Sequence, residues 1–571
     1  MQFTIEVNSK SIRAEKGETI LSALNRNGIM IPTLCRMQEY TPTGACRMCV
    51  VEVEGRERLV TACSALVEEW MKIRTHSPRV IKARKTIVEL LLSNHPDDCL
   101  YCDRNLDCEL QKLSDQLQVR ERRIRGRKIK PRRDQSSPAI VRELSKCILC
   151  GRCIRVCEES VTATSIDFIG RGRATHVGTA MDRDLNFSSC IHCGQCVLVC
   201  PTGALHEKHY VTEVQEQLSK SDVTRVIQYS PLVPYALADE LGVKYQRDFD
   251  RVLNAVLRKI GFEKVFLSGA GTDILIKELT DAVEAARTTG GNKPLVISAC
   301  PAWVKYCEQF FPEFLPMLST LKTPQQISGA IIKSALASAD EQSSVYTVSV
   351  TPCTAMKFEA RRDSMTRKGI SDIDTVLTVR ELARLIVLYG IDITNIDPEP
   401  ADEPMSHRSS AALLAETAGG LTESVLRSLA IRAGGTESDK GAVKKLRSGN
   451  TFREASVTEG DLTWSVAVVD GLKGFEKLRE MLDKGSSYDL IEVMACPGGC
   501  VNGGGMIPAG SKEAVRQRSR FIYQADEQDA VRGPENSATV SMLYDDTFRQ
   551  CPELTDRHLF HTHFSKRDVL L

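Results

Sequence analysis

Two short cysteine runs constrain this chain more than any other feature of its sequence. The runs are "CILCGRCIRVC" and "CIHCGQCVLVCP", and each has the spacing C-x2-C-x2-C-x3-C. Paired runs of this kind hold two 4Fe-4S clusters, and the fourth cysteine of each run binds the cluster of the other run. The predicted ligand sets are therefore Cys147, Cys150, Cys153 and Cys200 for one cluster, and Cys190, Cys193, Cys196 and Cys157 for the other.

A third cysteine group precedes these runs and has a different spacing. It consists of Cys35, Cys46, Cys49 and Cys63, with a long first gap, a C-x2-C core and a distant fourth cysteine. This pattern is typical of a loop wrapped around a 2Fe-2S cluster, within a small β-rich domain whose first strand is "QFTIEV". A zinc site is the alternative, although zinc ligands usually come as two tight pairs.

The segment "HPDDCLYCDRNLDC" contains a fourth group, His95, Cys99, Cys102 and Cys108. One neutral imidazole in place of a thiolate lowers the negative charge of an iron–sulfur cluster and changes its potential. Taken alone, three cysteines and one histidine suit structural zinc equally well. The preceding "RVIKARKTIVELLLSNH" predicts an amphipathic helix that delivers the histidine.

Composition limits the kind of protein this can be. The chain has 571 residues, 21 cysteines and a formal net charge of +1, which argues against a general nucleic-acid or membrane-surface binder. No apolar run approaches the roughly 20 residues that a membrane span needs, and the N-terminus lacks the pattern of a signal peptide. Clustered cysteines without an export signal indicate metal sites in a reducing compartment, so we expect a cytoplasmic protein.

After residue 210, short apolar strands alternate with amphipathic helices, which predicts an α/β domain with parallel strands. No G-x-G-x-x-G or P-loop pattern supports nucleotide binding there. Four cysteines follow strand-like runs or lie in Gly- and Pro-rich turns, where α/β proteins place ligands. They are Cys300 in "SACPAW", Cys353 in "TPCTAMKFE", and Cys496 and Cys500 in "EVMACPGGCVNGGG". Four cysteines from distant segments meeting at one point would hold one more cluster.

These three motifs resemble, in the same order, the signature sequences of the FeFe-hydrogenases, and the modules in front resemble the large monomeric clostridial-type members. The resemblance implies an H-cluster, in which a 4Fe-4S cube is joined through a cysteine sulfur to a two-iron subsite carrying carbon monoxide, cyanide and a bridging dithiolate amine. It implies that the four cysteines bind the cube, that Cys500 bridges to the subsite, and that Met494 lies beside it. Gly503 and Gly504 would let the backbone approach the cofactor.

The sequence departs from the family pattern around this expected site. Family members usually have a proton-relaying cysteine where this chain has Ala299, whose methyl group cannot carry a proton. Met356 replaces a lysine that donates to one cyanide, and Thr351 replaces a methionine. Leu232 stands where a serine donor to the other cyanide is expected. Further along the usual proton route the resemblance assigns Ser319 and Glu359 and, if one residue is inserted, Glu278 and Asp281, whose alternative is the polar face of a helix.

The fold class that follows is multidomain α+β. We predict a β-rich 2Fe-2S ferredoxin-like domain at 1–79. At 80–137 we predict a small domain in which one histidine and three cysteines hold a 4Fe-4S cluster, together with a basic linker. A bacterial-type ferredoxin-like domain with two 4Fe-4S clusters follows at 138–209, and a large α/β H-cluster catalytic domain occupies 210–571. The expected cofactors are the H-cluster, one 2Fe-2S cluster and three further 4Fe-4S clusters. The linker "VRERRIRGRKIKPRRD" is either a solvated segment or a docking patch for an acidic electron carrier.

The resemblance implies an anaerobic enzyme of the ferredoxin-hydrogenase type, which oxidises hydrogen and reduces protons reversibly. Its partners would be ferredoxin or a similar carrier and the H-cluster maturation proteins, with no nucleic acid and no membrane. Because of Ala299 and Met356, we expect turnover to be slow or biased. The alternative is a hydrogen sensor, or a redox-signalling or electron-transfer protein with little turnover. A third possibility is a protein that holds iron–sulfur clusters and never receives the two-iron subsite.

Overall fold

The computed structural model describes residues 2–121, 123–126, 128, 132–245, 248–288, 293–339, 344–367, 369–435, 439–459, 462–548 and 557–568. Part of the basic linker and Cys551 lie outside these ranges. No helix within them is long and apolar enough to cross a membrane.

The N-terminal region is built on a five-stranded sheet. In spatial order its strands are Lys10–Glu15, Gln2–Val7, Lys72–Arg74, Val50–Val53 and Val60–Thr61, and the helix Ile20–Arg26 packs on it. The predicted first strand is confirmed, because Ile5 and Val7 alternate with exposed residues and enter the core beside the helix.

The helix Pro78–Asn94 connects this sheet to the segment with the histidine. Ser77 caps its first turn by accepting a hydrogen bond from the N–H of Val80, and the helix ends just before His95. Arg84 on its buried face donates to the carbonyls of Met48 and Val50 at 3.1 and 2.9 Å, which fixes the helix against the first sheet. A single 3-10 turn at Cys99–Tyr101 and the helix Glu109–Gln116 complete this region.

The paired cysteine runs fold as two similar halves. Each run places a glycine in the left-handed region, Gly151 at φ +71° and Gly194 at φ +73°, directly before a short helix that carries the third cysteine. The helices are Arg152–Arg155, continued by a π-turn at Val156–Ser160, and Gln195–Val199. A three-stranded sheet (Leu205–Glu207, Ile140–Glu143, Arg133–Asp134) and a hairpin (Asp167–Ile169, His176–Gly178) surround them.

The C-terminal region contains two four-stranded sheets covered by helices. The first sheet is parallel and has the order Lys264–Leu267, Val223–Tyr229, Ser344–Thr351, Thr375–Thr378. The second has the order Leu295–Val296, Leu490–Met494, Leu462–Asp470, Phe452–Glu459, and only its last pair is antiparallel. The short strands Thr366–Arg367 and Ile370–Ser371 pair antiparallel to each other. The predicted α/β texture with parallel strands is confirmed.

Fourteen α-helices of the described residues cover these sheets. They are Val211–Leu218, Val233–Glu240, Phe249–Ile260, Gly269–Thr288, Pro301–Phe310, Pro324–Ala339, Ala355–Glu359, Val379–Leu388, Ser410–Leu414, Gly420–Arg432, Lys440–Leu446, Phe475–Asp483, Lys512–Gln528 and Ala538–Met542. The final segment returns to the domain, since the backbone N–H groups of Lys322 and Thr562 donate at 2.7 Å to the carbonyls of Phe560 and Thr320. Parallel strands aim their carboxyl ends at one edge, and the four late cysteines follow such ends.

Candidate active site

The paired runs bring their thiols into one neighbourhood. Burial, followed by the thiols of Cys150, Cys147, Cys200 and Cys157, raises the pKa of Cys153 well above its usual value. Burial likewise raises the pKa of Cys196, with contributions from Cys190 and Cys193 of its own run and from Cys153 and Cys157 of the other. The thiols of both runs are therefore close to one another, and their division into two sets of four stays a prediction. Buried thiols with raised pKa values become thiolates only beside a compensating cation, which is what iron ions supply.

The four thiols of the first cysteine group also lie close together. Hydrogen bonds from the thiols of Cys46 and Cys63 hold the pKa of Cys35 far below its usual value, and a hydrogen bond from Cys63 lowers the pKa of Cys49 to about 7. All four sulfur atoms are thus within reach of one small cluster.

His95 has the environment of a metal ligand. Its Nδ1 lies 3.0 Å from the carbonyl of Pro96, to which it donates, so the other ring nitrogen is left as the acceptor. That Nε2 atom is buried and has no hydrogen-bond partner among the described residues. Burial raises the pKa of Cys108, and the thiols of Cys102 and Cys99 add to the effect, so the sulfur ligands converge nearby. An unpartnered buried acceptor that is followed along the chain by three converging thiols fits a metal centre.

This fourth group touches the paired runs. A Cβ atom on Gly203 would lie 2.5 Å from the Sγ of Cys102, so only glycine permits the approach. Arg104 donates to the carbonyl of Cys200 at 2.9 Å. The first group approaches the same region, because Arg155 donates to the carbonyl of Cys35 and, at 2.9 Å, to Oγ1 of Thr43. Both N-terminal centres therefore lead towards the paired runs.

The last four cysteines converge although they come from three distant segments. Cys300 lies between the strand Leu295–Val296 and the helix Pro301–Phe310, and Cys353 follows the strand Ser344–Thr351. Burial raises the pKa of Cys500 well above its usual value, and the Glu416 carboxylate and then the thiols of Cys353, Cys300 and Cys496 contribute. Burial and the thiols of Cys193, Cys353 and Cys300 do the same for the pKa of Cys496. The fourfold site therefore lies next to one of the paired-run sites.

Glycines make this junction possible. A Cβ atom on Gly504 would lie 2.4 Å from the carbonyl oxygen of Cys193 and 2.6 Å from the Cα of Gly194. A Cβ atom on Gly503 would lie 2.4 Å from the carbonyl oxygen of Pro352. Gly499 has φ +90°, a conformation that other residues rarely adopt. These glycines bring backbone against backbone around the sulfur atoms.

A cavity of about 60 Å³ opens beside Cys500. Several of the residues singled out from the sequence line it, namely Ala299, Thr351, Met356 and Met494. Its volume exceeds that of a single water. Lys357, one residue after Met356, does not line the cavity, and its Nζ lies 2.6 Å from the carboxylate of Glu381.

One residue of this cavity was not predicted from the sequence. Among the described residues that line it, Glu416 is the one that carries a carboxyl group. Ser230 donates its hydroxyl to this carboxyl, and the Cys500 N–H donates to the Glu416 carbonyl at 2.8 Å. Burial raises the pKa of Glu416 above its usual value. The available signal was a lone acid within the apolar "AALLAETAGG".

The other predicted residues take varied positions. Leu232 packs in the hydrophobic core, whereas Ser230, two residues earlier, lines the cavity. Ser319 is buried, and its Oγ accepts from the N–H of Leu321 at 3.2 Å. Glu359 accepts from Oγ1 of Thr323 at 2.7 Å, and burial raises its pKa to about 7.

Glu278 and Asp281 lie on the helix Gly269–Thr288. Glu278 accepts a hydrogen bond from the hydroxyl of Tyr544 at 2.6 Å, and Asp281 pairs with Arg432 at 2.8 Å. The second carboxylate is therefore engaged in an ion pair at the surface of the helix. Their part in a proton route stays a prediction.

The fold and the five cysteine sites define an iron–sulfur redox protein with a reaction cavity at the end of its relay. Separate regions of the chain each match a known protein family, and these families agree with this class. Residues 223–504 match the iron-only hydrogenase large subunit, C-terminal domain, and 512–567 match the iron hydrogenase small subunit. Residues 1–78 match a 2Fe-2S iron-sulfur cluster binding domain, 84–123 the NADH-ubiquinone oxidoreductase-G iron-sulfur binding region, and 146–204 a 4Fe-4S dicluster domain.

Two curated relatives extend along nearly the whole chain. The NADP-reducing hydrogenase subunit HndD of Solidesulfovibrio fructosivorans is 36% identical, with 100% of both chains covered. Iron hydrogenase 1 of Clostridium pasteurianum is 32% identical over 99% of this chain and 100% of the relative. The apo form of the FeFe-hydrogenase from Chlamydomonas reinhardtii is similar in structure, with a TM-score of 0.55 and 25% identity over 63% of this chain and 100% of that one. The chain belongs to the iron-only (FeFe) hydrogenase family.

Proposed function

We propose that the protein interconverts hydrogen with protons and electrons at an H-cluster held by Cys300, Cys353, Cys496 and Cys500. The observation that carries this proposal is the convergence of those four thiols beside the cavity and beside Cys193. When bound, the H-cluster supplies an open iron site and a bridging amine for splitting or forming hydrogen. Met494 and Met356 form part of the apolar wall that keeps bulk water from this space.

The distinctive step is the movement of the proton. Ala299 lines the cavity but has no group that can hold a proton. Glu416 can hold one on its carboxyl, which lies within hydrogen-bonding reach of the Ser230 hydroxyl. A carboxyl whose pKa burial raises above its ordinary value is better suited than an exposed one to give and take protons. We assign Glu416 this role in place of the missing cysteine thiol, with Glu359 as a second buried carboxyl on the other side of Gln325, whose side chain lies 3.5 Å from it.

Turnover is proposed to be slower than in family members with the relay cysteine. A thiol directly at the reacting site has been exchanged for a carboxyl on a different segment, and Met356 removes a charged donor from the wall. General acid–base groups contribute about 10²- to 10⁴-fold to rate, so an imperfectly placed substitute loses part of that factor.

Electrons are proposed to travel through the N-terminal centres. These centres are one 2Fe-2S cluster, the cluster of His95 and the two clusters of the paired runs. Cys99 is exposed, and its neighbours Leu100 and Tyr101 are 85% and 90% exposed, so an electron carrier can approach this centre closely. We propose ferredoxin or a similar protein as the carrier. The relative named as a subunit of an NADP-reducing hydrogenase supports a protein partner in this role.

The test is hydrogen-dependent reduction of a viologen dye by the full chain, produced without oxygen and supplied with the two-iron subsite by maturation proteins or chemical reconstitution. Dye reduction that is lost in Cys500→Ala but kept in Cys307→Ala supports the proposal, because Cys307 is a buried cysteine in the hydrophobic core. Equal activity in the two variants would show that the assigned cysteine is not needed and would overturn the assignment.

The second candidate is a hydrogen sensor or electron-transfer protein with little turnover, favoured by the alanine at position 299. Sustained reduction of ferredoxin by hydrogen would exclude it. A protein whose clusters change redox state under hydrogen but which completes few turnovers would support it instead.

A further inference from the structure

A buried lysine lies beside one of the paired-run clusters and has no role in the proton chemistry above. Lys305, on the helix Pro301–Phe310, is 3% exposed, and its Nζ lies 2.8 Å from Nε2 of His192, which is fully buried between Cys190 and Cys193. The same Nζ lies 4.6 Å from the centre of the Phe358 ring. A buried ammonium is costly unless something negative compensates it.

The hydrogen bond between Lys305 and His192 has a defined donor and acceptor. An ammonium has only donors, so Nε2 of His192 accepts and its ring hydrogen is on Nδ1. Nδ1 lies 3.0 Å from Oγ of Ser137 and 3.9 Å from Sγ of Cys190. The positive charge of Lys305 is thereby extended through the imidazole towards a cluster sulfur atom.

Neighbouring acids do not cancel this charge. Glu308, on the same helix, is held by Arg362 at 3.1 Å and by Arg567 at 2.9 Å. That group of three charges is itself positive overall. Burial lowers the pKa of Lys305 to about 8, which leaves the ammonium form in excess at neutral pH. The charge that best compensates Lys305 is then the negative iron–sulfur cluster with its four thiolates.

The two halves of the paired-run region provide an internal comparison. His192 and Leu149 hold equivalent positions, with φ +57° and +55°. Each backbone N–H lies 3.4 Å from the Sγ of the first cysteine in its own run. The backbone environments therefore match, whereas the side chains are an imidazole joined to a buried ammonium in one half and an apolar leucine in the other.

We propose that Lys305, acting through His192, is a positioning residue that raises the reduction potential of the cluster on Cys157, Cys190, Cys193 and Cys196 above that of its pseudo-symmetric partner. Positive charge and hydrogen bonds near the sulfur atoms favour the reduced, more negative cluster. Because Cys193 borders the H-cluster site, an electron held here waits next to the reaction centre. This inference rests on the ligand sets of the proposed function.

The experiment is a redox titration of the full chain, followed by electron paramagnetic resonance of the reduced clusters. A Cys193→Ala variant identifies the transition that belongs to this cluster. In Lys305→Met that transition is expected to move to lower potential, while the cluster of Cys147 keeps its potential. Lys305→Arg, which retains the charge, is expected to restore most of the shift.

His192→Leu copies the other half of the region and is the second variant, in case Lys305→Met fails to assemble its cluster. It is expected to move the same transition in the same direction. An unshifted transition in both variants, with iron content intact, would overturn the inference, and so would equal shifts of both paired-run clusters. Absence of these transitions from the unmodified protein would instead contradict the proposed cluster ligands.

Discussion

Replacing Glu416 with glutamine tests the proposed proton carrier. The amide has nearly the same shape and keeps an oxygen that can accept from the Ser230 hydroxyl, and the backbone bond from the Cys500 N–H to the Glu416 carbonyl does not depend on the side chain. The fold and the cluster site should therefore persist. The amide, however, cannot release a proton under these conditions, so the cavity loses its only described carboxyl.

The size of the loss follows from what a positioned acid–base group contributes. Such groups supply about 10²- to 10⁴-fold in rate, equivalent to about 3–5 kcal/mol of barrier. We expect hydrogen evolution from reduced viologen to fall by at least about 100-fold in Glu416→Gln. The carbon monoxide and cyanide infrared bands should remain, which separates lost proton transfer from lost cofactor. Glu476→Gln, on the far surface helix Phe475–Asp483, is the matched control and should turn over normally.

A second substitution sharpens this test. Ala299 lines the same cavity, which has room for one more sulfur atom. Ala299→Cys should raise turnover of the unmodified chain and should rescue much of the activity lost in Glu416→Gln, because the thiol again offers a protonatable group. Wild-type turnover by a fully loaded Glu416→Gln protein would refute the reasoning, as would a large loss that the added cysteine makes worse.

Three further predictions concern other parts of the molecule. His95→Ala should remove one 4Fe-4S signal from the reduced protein while the 2Fe-2S signal stays, and iron analysis with paramagnetic resonance checks this; zinc bound there in place of iron would contradict it. Gly504→Ala should slow electron transfer between the relay clusters and the active site and cost about 1–3 kcal/mol of stability, because its Cβ would clash with the carbonyl of Cys193. Unchanged flash-reduction kinetics and an unchanged melting temperature would show that this close contact does not matter. Burial raises the pKa of Asp273 to about 7, so the folded state binds a proton more tightly than the unfolded state. The stabilisation present below about pH 4 should therefore be lost as pH rises to 7. Asp273→Asn should flatten this dependence of the unfolding free energy on pH in denaturant titrations, whereas an unaltered dependence would assign it to other groups.

Most of what could be predicted from the sequence came from the spacing of its cysteines. The strand Gln2–Val7 and the helix before His95 follow from local patterns, since period and capping are properties of adjacent residues, whereas the exchange of fourth cysteines between the paired runs stays a prediction. The convergence of Cys300 and Cys353 with the last two cysteines was expected from strand ends and turns.

Features that depend on packing between distant segments were not predictable in this way. Glu416 meets Ser230, which is 186 residues earlier, and Lys305 meets His192, which is 113 residues earlier. Glu416 stands out only as a lone acid in an apolar stretch, and Lys305 is ordinary in its own stretch, so neither role can be recognised until the partner is known. Leu232 shows the reverse case, because its position in a motif suggested the cavity whereas its apolar side chain packs into the core.

The infrared spectrum of the full chain, produced without oxygen and supplied with the two-iron subsite, shows whether the chain holds a working H-cluster. We expect carbon monoxide and cyanide bands that shift when hydrogen is admitted and return when it is removed. Complete absence of these bands, in a protein whose iron–sulfur clusters are intact, would rule out an H-cluster and leave an electron-transfer protein.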